Sequence, residues 1–203
     1  MLRMSQQLGL GSEAPGFALP GVDGPTWTLD DVAGGRCFLA AFICNHCPFV
    51  LHILDEFVAF ARDYQERGLA VVAISSNDPA EFPEDDFPHM QRLAQERGFT
   101  FPYLYDETQA VALAYGAICT PDFFLYDADR RLVYAGQFDA SRPHINRPPV
   151  PGLPPLRTDL PVTGEDLRRA ADALLSGEPA PQPQRPSAGC SIKWRPGNDP
   201  DWA

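Results

Sequence analysis

The sequence predicts an α/β domain built on a parallel βαβ unit. Cys37 to Ile43 (Cys-Phe-Leu-Ala-Ala-Phe-Ile) and Leu69 to Ser75 (Leu-Ala-Val-Val-Ala-Ile-Ser) are continuous apolar runs too short for helices. Strands buried on both faces of a parallel sheet read this way. Between them Phe49, Ile53, Leu54, Phe57, Val58, Ala61 and Tyr64 recur at helical spacing, and Gly68 closes the pattern. Strand, helix and strand in this order join by a right-handed crossover. A chain of 203 residues holds one such domain with a full core.

The remaining elements follow in order. Short alternating pieces at Phe17–Leu19 and Trp27–Leu29 flank a Gly21-Val-Asp-Gly-Pro25 turn, which predicts a hairpin. Ser76-Asn77-Asp78-Pro79 ends the second buried strand at the carboxyl edge of the sheet, where ligand sites of open α/β sheets lie. Asn77 and Asp78 are candidates to border a cleft at that edge, with an ordinary Asn-Asp-Pro turn as the favoured reading. An acidic stretch, Glu81 to Asp86, leads into a helix that runs to about Arg97 and stops at Gly98. Phe101 to Leu104 is extended, and Glu107 to Tyr115 is a short helix ended by Gly116. Phe123–Tyr126 and Arg131–Gly136 form a second hairpin over an Asp127–Arg130 turn. Asp139 to Pro161 is Pro-rich and aperiodic, a long loop of polyproline character. Thr163-Gly-Glu-Asp166 reads as a capping-box variant before a last helix through Leu167, Ala170, Ala171, Leu174 and Leu175. The domain then spans residues 1–177, and 178–203 form a Pro-rich tail. Cys190, Ile192 and Trp194 lie too close together for a disordered tail, so the tail is expected to dock on the domain.

Composition narrows the function. The 44% hydrophobic and 21% charged content is that of a soluble globular protein. A net charge of −11 repels phosphate backbones and anionic lipid, which argues against nucleic acid and membrane as partners. No apolar run approaches the ~20 residues of a membrane span, and Met1 to Glu13 has no apolar leader core. The expected location is cytoplasmic, where structural disulfides are disfavoured. The five cysteines, Cys37, Cys44, Cys47, Cys119 and Cys190, cannot all pair within one chain. They read as core fillers, redox groups or metal ligands.

Chemistry concentrates at Cys44-Asn45-His46-Cys47-Pro48, where the first strand hands over to the helix. A thiol at a helix N-terminus meets unpaired N–H groups and the positive end of the dipole, which favour its thiolate. Cys44 is expected as the exposed nucleophile and Cys47, one turn on, as the resolving thiol. His46 between them is expected to depress the Cys44 pKa. Pro48 suits the first helical turn. A βαβ context makes a C-x-x-C readable as redox. Two other readings stand beside it: a zinc site completed by Cys190 and a histidine, which needs four ligands, and a pair of buried core cysteines. His52, His89 and His144 show no metal spacing and read as surface residues, so neither metal nor cofactor is expected.

With Cys119-Thr120-Pro121 ahead of the second hairpin, the chain resembles the thioredoxin superfamily. More closely it resembles the redoxin branch that includes the AhpC/TSA peroxiredoxins, whose N-terminal hairpin is similar to Ala14-Pro-Gly-Phe-Ala-Leu-Pro-Gly-Val-Asp-Gly24. Phe42 to Phe49 and Gly189-Cys-Ser-Ile-Lys-Trp-Arg-Pro-Gly-Asn198 are similar to its peroxiredoxin-like thioredoxin subgroup, known as thiol-disulfide isomerase or thioredoxin. The resemblance implies a thioredoxin-like fold: a central mixed sheet with helices on both faces, an N-terminal hairpin extension and a Pro-rich C-terminal tail. It implies an antioxidant-type thiol-disulfide oxidoreductase that needs no cofactor. Its partners would be protein or small-molecule disulfides and a thiol reductant. Cys44, Cys47, His46 and Pro121 would be catalytic, with a cis Thr120–Pro121 bond facing the cysteines and Thr120 and Asn45 contacting substrate.

Three positions depart from the pattern. No carboxylate lies in the strand before Cys44, where thioredoxins carry one near the position of Phe38. Ile43 replaces the usual Trp. A P-x-x-x-T-x-x-C peroxidase signature ending at Cys47 would need Pro and Thr where Ala40 and Cys44 stand. Disulfide exchange is therefore favoured. A thiol peroxidase, and a non-enzymatic redox sensor or metal-binding scaffold, are the alternatives. Cys190 and Cys119 are possible extra redox thiols, and packing is the competing role for each.

Overall fold

A computed structural model describes residues 2–4, 9–144 and 158–201. The strands are β1 Leu2–Met4, β2 Ala18–Pro20, β3 Thr26–Thr28, β4 Phe38–Phe42, β5 Ala70–Ser75, β6 Tyr103–Tyr105, β7 Cys119–Thr120, β8 Asp122–Tyr126, β9 Leu132–Gly136 and β10 Ala188–Ser191. The α-helices are α1 Leu29–Ala33, α2 Pro48–Glu66, α3 Phe87–Arg97, α4 Ala110–Tyr115 and α5 Glu165–Leu175, and a 3₁₀ turn spans Pro83–Asp85. The centre of the expected polyproline loop, residues 145–157, lies outside the described residues.

Five strands form the central sheet in the order β6-β5-β4-β8-β9. β4, β5 and β6 run parallel, and β8 and β9 run antiparallel to their neighbours. The sheet is therefore mixed. Alternation along β4 shows how both faces are covered. Leu39 and Ala41 join a core with α2, with Met90 of α3 and with Leu167, Ala170 and Ala171 of α5. Phe38, Ala40 and Phe42 join a second core with Leu29, Val32 and Ala33 of α1, and with Val111, Ala112 and Tyr115 of α4. Both faces demand apolar residues, so β4 reads as an unbroken apolar run. Phe57 is the hub of the first core: its ring contacts those of Phe60, Phe101, Phe123 and Phe138. No helix among the described residues is long and apolar enough to cross a membrane.

Several local features differ from expectation. Thr28 caps a helix that directly continues the first hairpin: it forms a capping box with Asp31. Thr163 Oγ1 accepts from the Glu165 amide at 3.3 Å, but Thr163 is not the N-cap of α5. The N-cap is Gly164, and Asp139 Oδ2 accepts from the amides of Thr163 and Gly164 at 2.7 Å each. The acceptor is 24 residues away from Thr163, beyond the reach of any local capping pattern. β1 is too short to carry a periodicity.

The C-terminal segment is woven into the fold. β10 lies between β1 and β7, antiparallel to both, with Cys190 opposite Thr120 and Ser191 opposite Cys119. Ile192 is buried, and its amide donates to the Ile118 carbonyl at 2.9 Å. Gly189 makes this approach feasible. A Cβ there would lie 2.0 Å from the Thr120 carbonyl oxygen and 2.6 Å from its carbon. Gly189→Ala must therefore push β10 off β7. Chemical denaturation should show a loss of about 1–3 kcal/mol, and limited proteolysis should show faster cleavage of the C-terminal segment.

Candidate active site

The C-x-x-C lies where sequence placed it, between β4 and α2, but its sulfurs are arranged differently. Cys44 follows the strand within one residue, its neighbour Ile43 still bonded to the Ile74 carbonyl at 3.0 Å. Cys47 is the N-cap residue of α2, and Pro48 is the first helical residue. Both cysteines are fully buried. Thr120 touches both. Its Oγ1 is 3.3 Å from Cys44 Sγ, and its carbonyl oxygen is 3.2 Å from Cys47 Sγ. The Thr120–Pro121 peptide is cis. Cys190, opposite Thr120 on β10, is half-buried, and Cys47 is the first cause that pushes its thiol up.

Charge gathers on Cys47. Burial opposes its ionisation, but hydrogen bonds from Cys190 and Cys44, the Val50 amide and Thr120 outweigh burial and hold its pKa well below the ordinary thiol value. Cys44 is pushed well above that value by burial, by its hydrogen bond to Cys47 and the Cys47 charge, and by Asp85. Cys190 is also pushed up, by its bond to Cys47 and then by burial. Of the three thiols, Cys47 is the one favoured to ionise. This reverses the expected order, in which Cys44 was the exposed, low-pKa nucleophile. The free N–H groups of a helix converge on its N-cap residue, and that residue is Cys47.

His46 does not serve Cys44 as expected. Its Nδ1 lies 2.5 Å from Asp85 Oδ2, and its ring stacks on Phe82 at 4.0 Å. Asp85 is fully buried on the 3₁₀ turn. It also accepts from the amides of Asn45 at 2.8 Å and His46 at 3.2 Å, and from Asn77 Nδ2 at 2.7 Å. Asn45, expected to contact substrate, is occupied inside the fold: Nδ2 donates to the Glu84 carbonyl and Oδ1 accepts from Tyr103. Asn77 is no ordinary turn residue, since its Oδ1 accepts from the Lys193 amide at 2.9 Å. Asn77 joins the site, and Asp85, Phe82 and Lys193 are members that sequence reading missed. Asp85 lies 39 residues from His46, so no spacing rule links them.

Cys119 is fully buried with Sγ facing the Pro121 carbonyl, and burial followed by the charge of Asp122 pushes its thiol up. It is held as a protonated filler. His52 is not a free surface residue: Nε2 is 3.1 Å from Ser141 Oγ, and burial lowers its pKa. Among the described residues, Cys44, His46 and Asp85 bring three metal-competent atoms within 4.8 Å of one another. The Asp85 carboxylate already accepts four hydrogen bonds.

A family model described as AhpC/TSA matches residues 10–135. The chain belongs to the AhpC/TSA family. Curated relatives of this AhpC/TSA chain include the thiol-disulfide oxidoreductase ResA of Geobacillus thermodenitrificans, 27% identical over 125 residues, 61% of this chain and 66% of ResA. A putative peroxiredoxin of Mycobacterium tuberculosis is 30% identical over 107 residues, 53% of this chain and 63% of that protein. The chain thus spans about two thirds of the length of these relatives. Among solved structures, an uncharacterized conserved protein from Geobacillus kaustophilus is 48% identical and superposes with a TM-score of 0.88, covering 97% of this chain and 98% of the other. A putative thioredoxin from Neisseria meningitidis is 25% identical, with a TM-score of 0.52 over 61% of this chain and 79% of the other. The fold is thioredoxin-like.

Two outcomes follow from this geometry. Thiolate absorbance in the far ultraviolet should persist as pH falls below the ordinary thiol value of about 8.5, because a depressed pKa keeps the anion until more acid conditions. The signal should vanish in Cys47→Ser, and its midpoint should move up in Cys190→Ala, which loses a donor. Asp85→Ala strands the buried amides of Asn45 and His46 and the Asn77 side chain, at about 1–3 kcal/mol for each unsatisfied group. Urea denaturation should show a loss of that order.

Proposed function

We propose that the protein is a thiol-disulfide oxidoreductase whose Cys44 and Cys47 exchange with a substrate disulfide. The supporting observation is the pair of sulfurs held against Thr120 with the charge on Cys47. The Cys47 thiolate attacks one substrate sulfur, and the first substrate thiolate leaves and takes a proton. This step removes the Cys47 charge, one of the causes that hold Cys44 protonated. Cys44 then loses its proton more readily and attacks Cys47 Sγ, and the second substrate thiol leaves with that proton. Two protein thiols become one disulfide and one substrate disulfide becomes two thiols. An external thiol reductant restores the dithiol. Asp85, Asn45 and His46 act as positioning residues that hold the loop between the cysteines. Thr120 and Pro121 form the wall that the sulfurs face.

A second reading is supported by the complete burial of both cysteines, which favours a small oxidant, and by similarity to the putative peroxiredoxin. A peroxide would oxidise the Cys47 thiolate to a sulfenic acid with loss of an alcohol or water, and Cys44 would condense with it and release water.

Insulin reduction by dithiothreitol tests the first reading. Wild type should accelerate precipitation, and Cys47→Ser should fall at least about tenfold, a barrier increase of about 1.4 kcal/mol. Equal rates with and without the protein would sink the exchange reading. Rapid peroxide consumption alongside that result would favour the second.

A further inference from the structure

We propose that Cys190 is a third redox thiol of this site: it forms a disulfide with Cys47 that fastens the C-terminal strand over the Cys44–Cys47 pair. The proposal rests on the exchange reading and extends it to a residue 143 positions further along the chain.

β10 is held by its pairing with β7. Its register with β7 sets Cys190 opposite Thr120, the residue that touches both Cys44 and Cys47. Gly189 lacks a Cβ, and this lets its backbone pack directly against the Thr120 carbonyl. Beyond β10 the chain is anchored again. The Lys193 amide donates to Asn77 Oδ1 at 2.9 Å, and the Asp78 amide donates to the Lys193 carbonyl at 2.8 Å. The Lys193 ammonium lies 5.1 Å from the centre of the Phe82 ring, the ring on which His46 stacks. Asn77 in turn donates to Asp85, which receives the Asn45 and His46 amides. The tail and the loop between the cysteines therefore share one network. It sets Cys190 beside Cys47: Cys190 pairs opposite Thr120, whose carbonyl oxygen is 3.2 Å from Cys47 Sγ, and Cys47 is the first cause that pushes the Cys190 thiol up. An S–S bond of about 2 Å forms when the two sulfurs close that approach.

The chemistry balances without a further reactant. With R the substrate group on Cys47, Cys190 loses its proton and attacks Cys47 Sγ. The Cys47–S–S–R bond breaks, the Cys47–Cys190 bond forms, and R leaves as a thiol with that proton. Cys190 thus competes with Cys44 to resolve the same intermediate. Attack of Cys44 on the new bond gives the Cys44–Cys47 disulfide and frees Cys190, with no net change in oxidation. The strand pairing gives the bond a second consequence. β10 fills the β7 edge, where an extended peptide would otherwise add by backbone hydrogen bonding. A Cys47–Cys190 bond locks that edge closed, and its reduction lets the strand lift.

The test uses the full chain with Cys37→Ser as background, and an aryl disulfide whose leaving thiolate is coloured. Cys44→Ser should form the Cys47 adduct and then release a second equivalent of colour as Cys190 resolves it. Mass spectrometry should find a peptide pair joined Cys47 to Cys190. In Cys44→Ser/Cys190→Ser and Cys44→Ser/Cys190→Ala the adduct should persist at least tenfold longer, with no second equivalent. Oxidised Cys44→Ser should protect the amides around residues 188–194 from hydrogen exchange, and reduction should release that protection. If Cys44→Ser keeps its adduct as long as the double variants do, Cys190 is not a redox thiol and the proposal falls alone. If no adduct forms on Cys47 although wild type reduces insulin, the role of Cys47 as attacking thiol falls and takes the proposal with it.

Discussion

Thr120 is the contact on which the rest of the site depends. Its hydroxyl meets Cys44, its carbonyl meets Cys47, and its backbone pairs opposite Cys190. Two segments far apart in sequence thereby bring their thiols to one place, against a third that carries Thr120. The charge of the site follows from that convergence. A single buried thiolate would be costly, but Cys47 has two thiol donors and the first turn of a helix around it. Its neighbours keep their protons because it has lost its own.

Asp85 is the second organising group. A buried carboxylate with no partners would be strongly destabilising. Here it accepts from two successive amides of the C-x-x-C loop, from the His46 ring and from Asn77. The strand before Cys44 carries no acid, yet the site does contain a buried one. A buried acid is delivered by a different element. Through Asn77 and Lys193 the same network reaches the tail, so the loop between the cysteines and the C-terminal strand are mechanically linked.

Much of the scaffold was legible because burial imposes short-range patterns. β4 and β5 had to be apolar throughout, since each packs against helices on both sides, and α2 had to carry its apolar stripe. The thiol motif was legible because its residues are adjacent. The roles within it were not. Cys44 was read as the exposed nucleophile because it was placed at the mouth of the helix, yet the N-cap of that helix is Cys47. Asn45 was read as a substrate contact, yet both its polar side-chain atoms are used inside the fold.

The sequence by itself determined the α/β class, the strand-to-helix placement of Cys44 to Cys47 and the family resemblance, because periodicity and adjacent motifs depend on neighbours along the chain. Only the tertiary structure decided which sulfur carries the charge, which acid sits beneath the loop and where Cys190 lies. Those answers depend on desolvation and on hydrogen bonds between residues 39 to 116 positions apart, and one-dimensional spacing contains no term for either.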